Sequence, residues 1–212
     1  MSYSRYQWGP RIVKDGLILH LDAANPDSYP GSGTTWYDLT KYEQNIPLTP
    51  PNAFTAAPTF STQGGGSFLF VSASKTVVTS SLSPGVSGSE YSISFWVKPN
   101  SSAQQLYYIT IGSAFGPNQY IESLLYRPAS PSTNWLFSNY SNTVTTNDTL
   151  PINTWYNFVG TLDSSFDAKG YINGVTQNNT NFGGYHFGTN RISLGAAYNP
   201  FSDPNTQQDR KS

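Results

Sequence analysis

"WYNFVGTLDSSFDAKGYINGV", residues 155–175, holds the pattern that decides the fold. Tyr156, Phe158 and Leu162 recur at even spacing, which places them on one side of an extended chain. Asn173-Gly174 follows, a dipeptide that accepts the positive φ values of a type I′ turn, so residues 169–177 read as a hairpin. Alternation followed by a two-residue turn predicts antiparallel strands with one buried and one wetter face.

The same period extends outward along the chain. "YSISFWV" (91–97) sets Tyr91, Ile93, Phe95 and Val97 against Ser92, Ser94 and Trp96. "SFLFV" (67–71) places Phe68 and Phe70 together, and "LYYITI" (106–111), "QYIESLLY" (119–126), "NWLFSNY" (134–140) and "RISLG" (191–195) continue the series. "LILHLD" (17–22) reads as one more strand, with Leu17, Leu19 and Leu21 opposite Ile18, His20 and Asp22. Helical periodicity never outlasts a turn or two. Strands of this length between Gly, Pro and Asn clusters predict an all-β protein, an antiparallel two-sheet jelly-roll sandwich. Pro47, Pro50, Pro51 and Pro58 bar residues 41–66 from a central strand. The expected organisation is an N-terminal arm (1–15), a sandwich domain (16–198) and a polar C-terminal tail (199–212).

Composition narrows the function classes. A chain of 212 residues fits one β domain with a core of its own. The absence of cysteine excludes disulfides and thiolate metal sites. A net charge of −1 with no basic stripe speaks against nucleic acid as a partner. No stretch approaches the apolar length of a membrane span, so no membrane role is expected. Residues 1–16 lack the apolar run of a signal peptide; synthesis in a cytoplasm without an export signal is expected.

Catalytic constellations are sparse. Glycosidases need two carboxylates flanking the scissile bond, but Glu43, Glu90 and Glu122 each stand apart from a second acid on the same strand. No Gly-x-Ser-x-Gly elbow occurs, and Gly64–Gly66 lacks the Lys-Ser/Thr of a phosphate loop. His20 and His186 have no companions at ligand spacing, so no zinc site is expected. The protein reads as a non-enzyme without a cofactor.

Two groups of residues remain as binding candidates. Asp22, Asn25, Asp27 and Asp38 could offer oxygens to calcium or to sugar hydroxyls. They could equally close Asx turns on their own backbone, with Pro26 and Pro30 fixing the path and Tyr29 and Trp36 folding back onto the sheets. The second description, a structural loop built on Asp22, Asn25, Trp36 and Asp38, is the preferred one. Trp135, Tyr140 and Asn142 in "NWLFSNYSN", joined by Tyr126, supply aromatic faces and amides of the kind that grip a pyranose ring.

"DGLILHLDAANPDSYPGSGTTWYDLT" (15–40), "PTF…GGGSFLF", "YSISFWVKP", "WYNFVGTLD" and "GYINGV" follow one another in an order that resembles laminin-G-like, concanavalin-A-like jelly-roll domains. The opening block is similar to domains found in phage structural proteins. The resemblance implies a virion structural protein, in a capsid decoration, neck, tail or fibre, with other virion proteins as partners and a homo-oligomeric state. The alternative it implies is a carbohydrate-binding adhesion module for host-surface glycans. Two departures stand out. "FVSASKTVVT" (70–79) carries Lys75 near a position where relatives have aspartate, which leaves a family-type calcium site little support. The family's closing strand has no counterpart, so an open sheet edge covered by the N-terminal arm or a neighbouring chain is expected.

Overall fold

The structure, a computed structural model, describes residues 12–49, 56–71, 78–86, 90–100, 106–111, 123–129, 132–138, 143–146, 150–183 and 189–195. Its strands, in chain order, are β1 (Thr35–Trp36), β2 (Ile46–Pro47), β3 (Thr59–Ser61), β4 (Ser67–Leu69), β5 (Val78–Val86), β6 (Tyr91–Val97) and β7 (Leu106–Ile111). Then come β8 (Ser123–Ala129), β9 (Ser132–Ser138), β10 (Thr143–Thr145), β11 (Tyr156–Leu162), β12 (Asp167–Ile172), β13 (Val175–Asn181) and β14 (Thr189–Leu194). The larger sheet runs β10-β9-β8-β7-β14-β5, the smaller β13-β12-β11-β6, and every pairing is antiparallel. Two short antiparallel pairs, β1-β2 and β3-β4, stand apart from the two sheets, and Ile46, Phe60 and Phe68 from them pack into the core. Among the described residues the only helix is a 3-10 turn at Gln63–Gly65, and none is long and apolar enough to cross a membrane. The arm's first eleven residues and the tail 199–212 lie outside the described residues.

The period-two pattern translates directly into burial. Tyr156, Phe158, Gly160 and Leu162 of β11 are buried, and the residues between them are half-buried. On β12, Ala168, Gly170 and Ile172 face the same way. The register pairs Gly160 with Gly170. That pair of missing side chains opens a slot for the other sheet: a Cβ on Gly160 would stand 3.2 Å from the Phe137 ring, and one on Gly170 3.2 Å from Val144. Phe137 is wholly buried there and packs on Phe182 with ring centroids 5.2 Å apart. Tyr91, Ile93 and Phe95 of β6, together with Tyr108, join this half of the core to a second half formed by β5, β7, β14 and the N-terminal loop. The β12-β13 hairpin turns at Asn173 and Gly174 with φ of 50° and 78°, the left-handed values that Asn-Gly tolerates.

One expected strand is absent. Residues 17–22 form no strand, although Ile18, Leu19 and Leu21 pack into the core. Their backbone is satisfied by the neighbouring loop instead. Leu39 N–H donates to the His20 carbonyl (2.9 Å), the Gln44 amide donates to the Ile18 carbonyl, and the His20 N–H donates to Asp38. Apolar residues here marked burial but the alternation did not sort it: Ile18, expected on the face opposite Leu19 and Leu21, packs into the core with them.

Candidate functional site

The outer face of the smaller sheet is set by the residues that alternate with its buried ones. Trp96 on β6 stands opposite Asn157 on β11. The next row runs Ser94, Val159, Tyr171, Thr176 across β6, β11, β12 and β13. Beyond it lies Ser92, Thr161, Lys169, Asn179. Trp96 is 65% exposed, an indole held in water at the β6 edge of a face made largely of hydroxyls and amides, with Val159, Tyr171 and Lys169 among them. Asn157 is fixed beside it: its N–H donates to Asn173 Oδ1 (2.9 Å), and its Nδ2 lies 3.4 Å from both Ser94 Oγ and the Phe95 carbonyl. An aromatic plate next to an oriented amide can stack on an apolar C–H face and bond to adjacent hydroxyls. The alternation of "YSISFWV" already put Trp96 on the polar face; a Trp in line with Ser92 and Ser94 was the available signal, and the sequence candidates do not include it.

The opening loop has the same residue types in a different state. Asp22 Oδ1 accepts the Ala24 N–H (2.9 Å) and Asn25 Oδ1 the Asp27 N–H (3.0 Å), both Asx turns. Ser28, fully buried, accepts from Asp22 N–H (3.1 Å) and donates to the Tyr37 carbonyl (2.6 Å). Asp38, 7% exposed, accepts at one oxygen from His20 and Thr40 N–H and at the other from the Thr40 hydroxyl (2.6 Å) and Gln44 N–H (3.0 Å). Burial opposes its ionisation, but the Thr40 hydroxyl and the N–H groups of His20, Gln44 and Thr40 outweigh that and hold the carboxyl below its ordinary range. Trp36 lies 4.6 Å from Phe68, and Tyr29 packs 4.8 Å from the same ring.

The other sequence candidates divide. The register sets Tyr126 directly opposite Trp135 across β8-β9. Tyr140, Asn142, His186 and Glu122 lie outside the described residues. His20 is half-buried in the loop. Asp163 and Asp167, four residues apart, meet at the β11-β12 turn. Asp163 Oδ1 accepts the N–H of Ser165 (2.9 Å) and Asp167 (3.0 Å), and Asp167 Oδ1 accepts from Asn181 Nδ2 (2.7 Å). These carboxylates hold a turn. Among the described residues no three His, Cys, Asp or Glu side chains gather in a way that could hold a metal ion.

Residues 71–207 match the family described as the Concanavalin A-like lectin/glucanases superfamily. The chain belongs to it. No curated protein matches this concanavalin A-like chain. Among solved structures it is similar to the receptor binding domain of botulinum neurotoxin C/D mosaic serotype, with a TM-score of 0.62 and 16% identity over 86% of this chain and 44% of that one. It is also similar to botulinum neurotoxin type C, whose cell entry is dependent upon interaction with two ganglioside molecules (TM-score 0.57, 16% identity, 88% of this chain, 44% of that one). A third is the binding domain of paraclostridial mosquitocidal protein 1 (TM-score 0.56, 13% identity, 85% and 44%). The chain spans less than half the length of each. At such identities the likeness establishes a shared concanavalin A-like jelly roll.

Proposed function

We propose that this concanavalin A-like domain is a non-catalytic, lectin-like carbohydrate-binding domain whose ligand lies on the outer face of the smaller sheet. The observation that carries it is Trp96, 65% exposed beside the fixed amide of Asn157 and the hydroxyl of Ser94. A single exposed indole is common on protein surfaces; one beside an amide and a hydroxyl on a hydrogen-bonded sheet offers the two halves of sugar recognition together. Membership of a superfamily named for lectins and glucanases, and the fold shared with toxin receptor-binding domains, support the same assignment. At the β11-β12 turn Asp163 accepts two backbone N–H groups and Asp167 accepts from the Asn181 amide, structural roles that favour binding over hydrolysis. A glycan panel probed with and without calcium tests it. Wild type binds a subset of glycans and Trp96→Ala binds none, with an unchanged melting temperature. No binding by wild type in either condition would sink the assignment.

A second function, in a phage virion, rests on the resemblance of residues 15–40 and on the sheet edges. Among the described residues β5 and β6 are each hydrogen-bonded to a single strand, the state in which a neighbouring chain can add to a sheet. Here the partners are other virion proteins or further copies of the chain, host-surface glycans being the ligand if the particle uses it for adhesion. Light scattering behind a sizing column tests this: a defined oligomer is expected, and a strict monomer that docks on no particle counts against it.

A further inference from the structure

We infer that the outer face is a two-platform site for a linear, uncharged oligosaccharide lying obliquely across the strands from Trp96 to Tyr171. This rests on the carbohydrate-binding assignment and adds the shape and charge of the ligand. Tyr171 is half-buried on the same face as Trp96, two strands away and one row along. With strands about 4.8 Å apart and a rise of about 3.4 Å per residue, the two residues are separated by about 12 Å. That span exceeds one pyranose ring and suits a short linear chain, with an aromatic ring under each end.

The ground between them fits such a chain. Val159 and Asn157 of β11 lie between the two strands that carry the rings. Val159 is half-buried and provides a low apolar floor. The Asn157 amide is held through its nitrogen by Ser94 and the Phe95 carbonyl, and its Oδ1 accepts nothing from the described residues. Ser94 and Thr176, both exposed, flank the path with hydroxyls. The same strands bury Tyr156, Phe158, Leu162, Ala168 and Ile172 on their inner side, so the platforms are held in place before a ligand arrives.

The charge distribution selects the chemistry. Lys169 is the one charged residue of the three described rows, and Asp167 sits two residues along the same strand, about 7 Å away with the opposite sign. The pair sums to no net charge beside Tyr171, and Lys98, two residues beyond Trp96, is engaged by Gln63 Oε1 (3.0 Å). An acidic chain would find one cation with a carboxylate behind it and a second already turned to an amide. An uncharged chain finds stacking surfaces and hydroxyl partners throughout.

Titration calorimetry with gluco-, manno-, galacto- and xylo-oligosaccharides from mono- to hexasaccharide tests this, beside uronic-acid oligosaccharides of equal length. In wild type at least one uncharged series gains affinity by roughly tenfold or more from mono- to tetrasaccharide. Tyr171→Ala removes that gain and leaves monosaccharide affinity unchanged, whereas Tyr171→Phe, which keeps the ring, retains it. Lys169→Ala and a rise from about 0.1 M to about 1 M salt leave the affinity within twofold, as expected where no ion pair contributes. Melting temperatures of all variants serve as the control for folding. Equal weakening at every length in Tyr171→Ala, or no weakening, overturns the two-platform site. Preference for the uronic-acid series, with loss in salt and in Lys169→Ala, overturns the uncharged ligand. Both of those outcomes keep the carbohydrate-binding assignment, whereas binding by none of the probes, or full binding by Trp96→Ala, removes the assignment and this inference with it.

Discussion

The opening loop and the outer face of the smaller sheet are made from the same kinds of residue and end in opposite states. Each holds a Trp, a Tyr, Asn side chains and hydroxyls. In the loop, Asp22, Asn25 and Asp38 turn their oxygens onto the chain's own N–H groups, and Trp36 and Tyr29 pack on Phe68. On the sheet, backbone groups are already paired in the ladder, so Trp96 and the polar side chains around it face solvent. Local irregular backbone consumes polar side chains; regular backbone leaves them available. Residue type therefore says little about ligand binding until the state of the backbone beneath it is known.

That contrast predicts stability effects on the loop side and binding effects on the sheet side. The largest stability loss is expected for Gly66→Ala. Gly66 has φ of 151°, and a Cβ there would stand 2.3 Å from the Ala23 carbonyl oxygen, a backbone atom that no rotamer change can move. A loss of about 3 kcal/mol, read from urea unfolding, is expected without any change in ligand affinity. Asp38→Asn comes next. It replaces an acceptor of four hydrogen bonds by an amide whose nitrogen must face two of those four donors, at a cost on the order of 2 kcal/mol. A variant as stable as wild type would mean the loop is not held by that carboxylate.

Acid should act through the same residue. Because Asp38 has its carboxyl lowered by folding, its contribution is complete above its unfolded value of 3.8 and fades as pH falls through the lower folded value. Melting temperature should therefore drop more steeply below about pH 4 in wild type than in Asp38→Asn. Equal slopes would place the acid sensitivity elsewhere. The smallest stability effect belongs to Trp96→Ala, within about 0.5 kcal/mol, since an exposed side chain has little packing to lose. A loss of several times that would make Trp96 a packing residue and erase the contrast between the two regions.

Much of the architecture was legible because one face of each strand is buried. In 91–97 and 156–162 the apolar and polar residues separate at a spacing of two, and the structure has strands β6 and β11 there. Asn173-Gly174 marked the hairpin for a steric reason that needs no tertiary context. Residues 17–22 show where the rule fails: Ile18, Leu19 and Leu21 are packed into the core by a loop that bonds to its own side chains. Gly160 shows a subtler failure. It interrupts the apolar face of β11, yet its missing side chain is what admits Phe137 from the opposite sheet.

The candidate site was half visible. Alternation put Trp96 on the polar face of its strand, but Asn157 and Tyr171 lie 61 and 75 residues further along, and only strand register brings them beside it. The cluster picked out by proximity in sequence, Trp135, Tyr140, Asn142 and Tyr126, includes one pair that the β8-β9 register sets opposite each other, while Tyr140 and Asn142 lie outside the described residues. Sequence alone determined the all-β class, the Asn173-Gly174 hairpin and the inward or outward sense of each residue in the clear strands, because these follow from local sterics and burial. Tertiary structure decided which outward residues share a surface, because pairing between distant strands is set by how two whole sheets pack and not by any one segment.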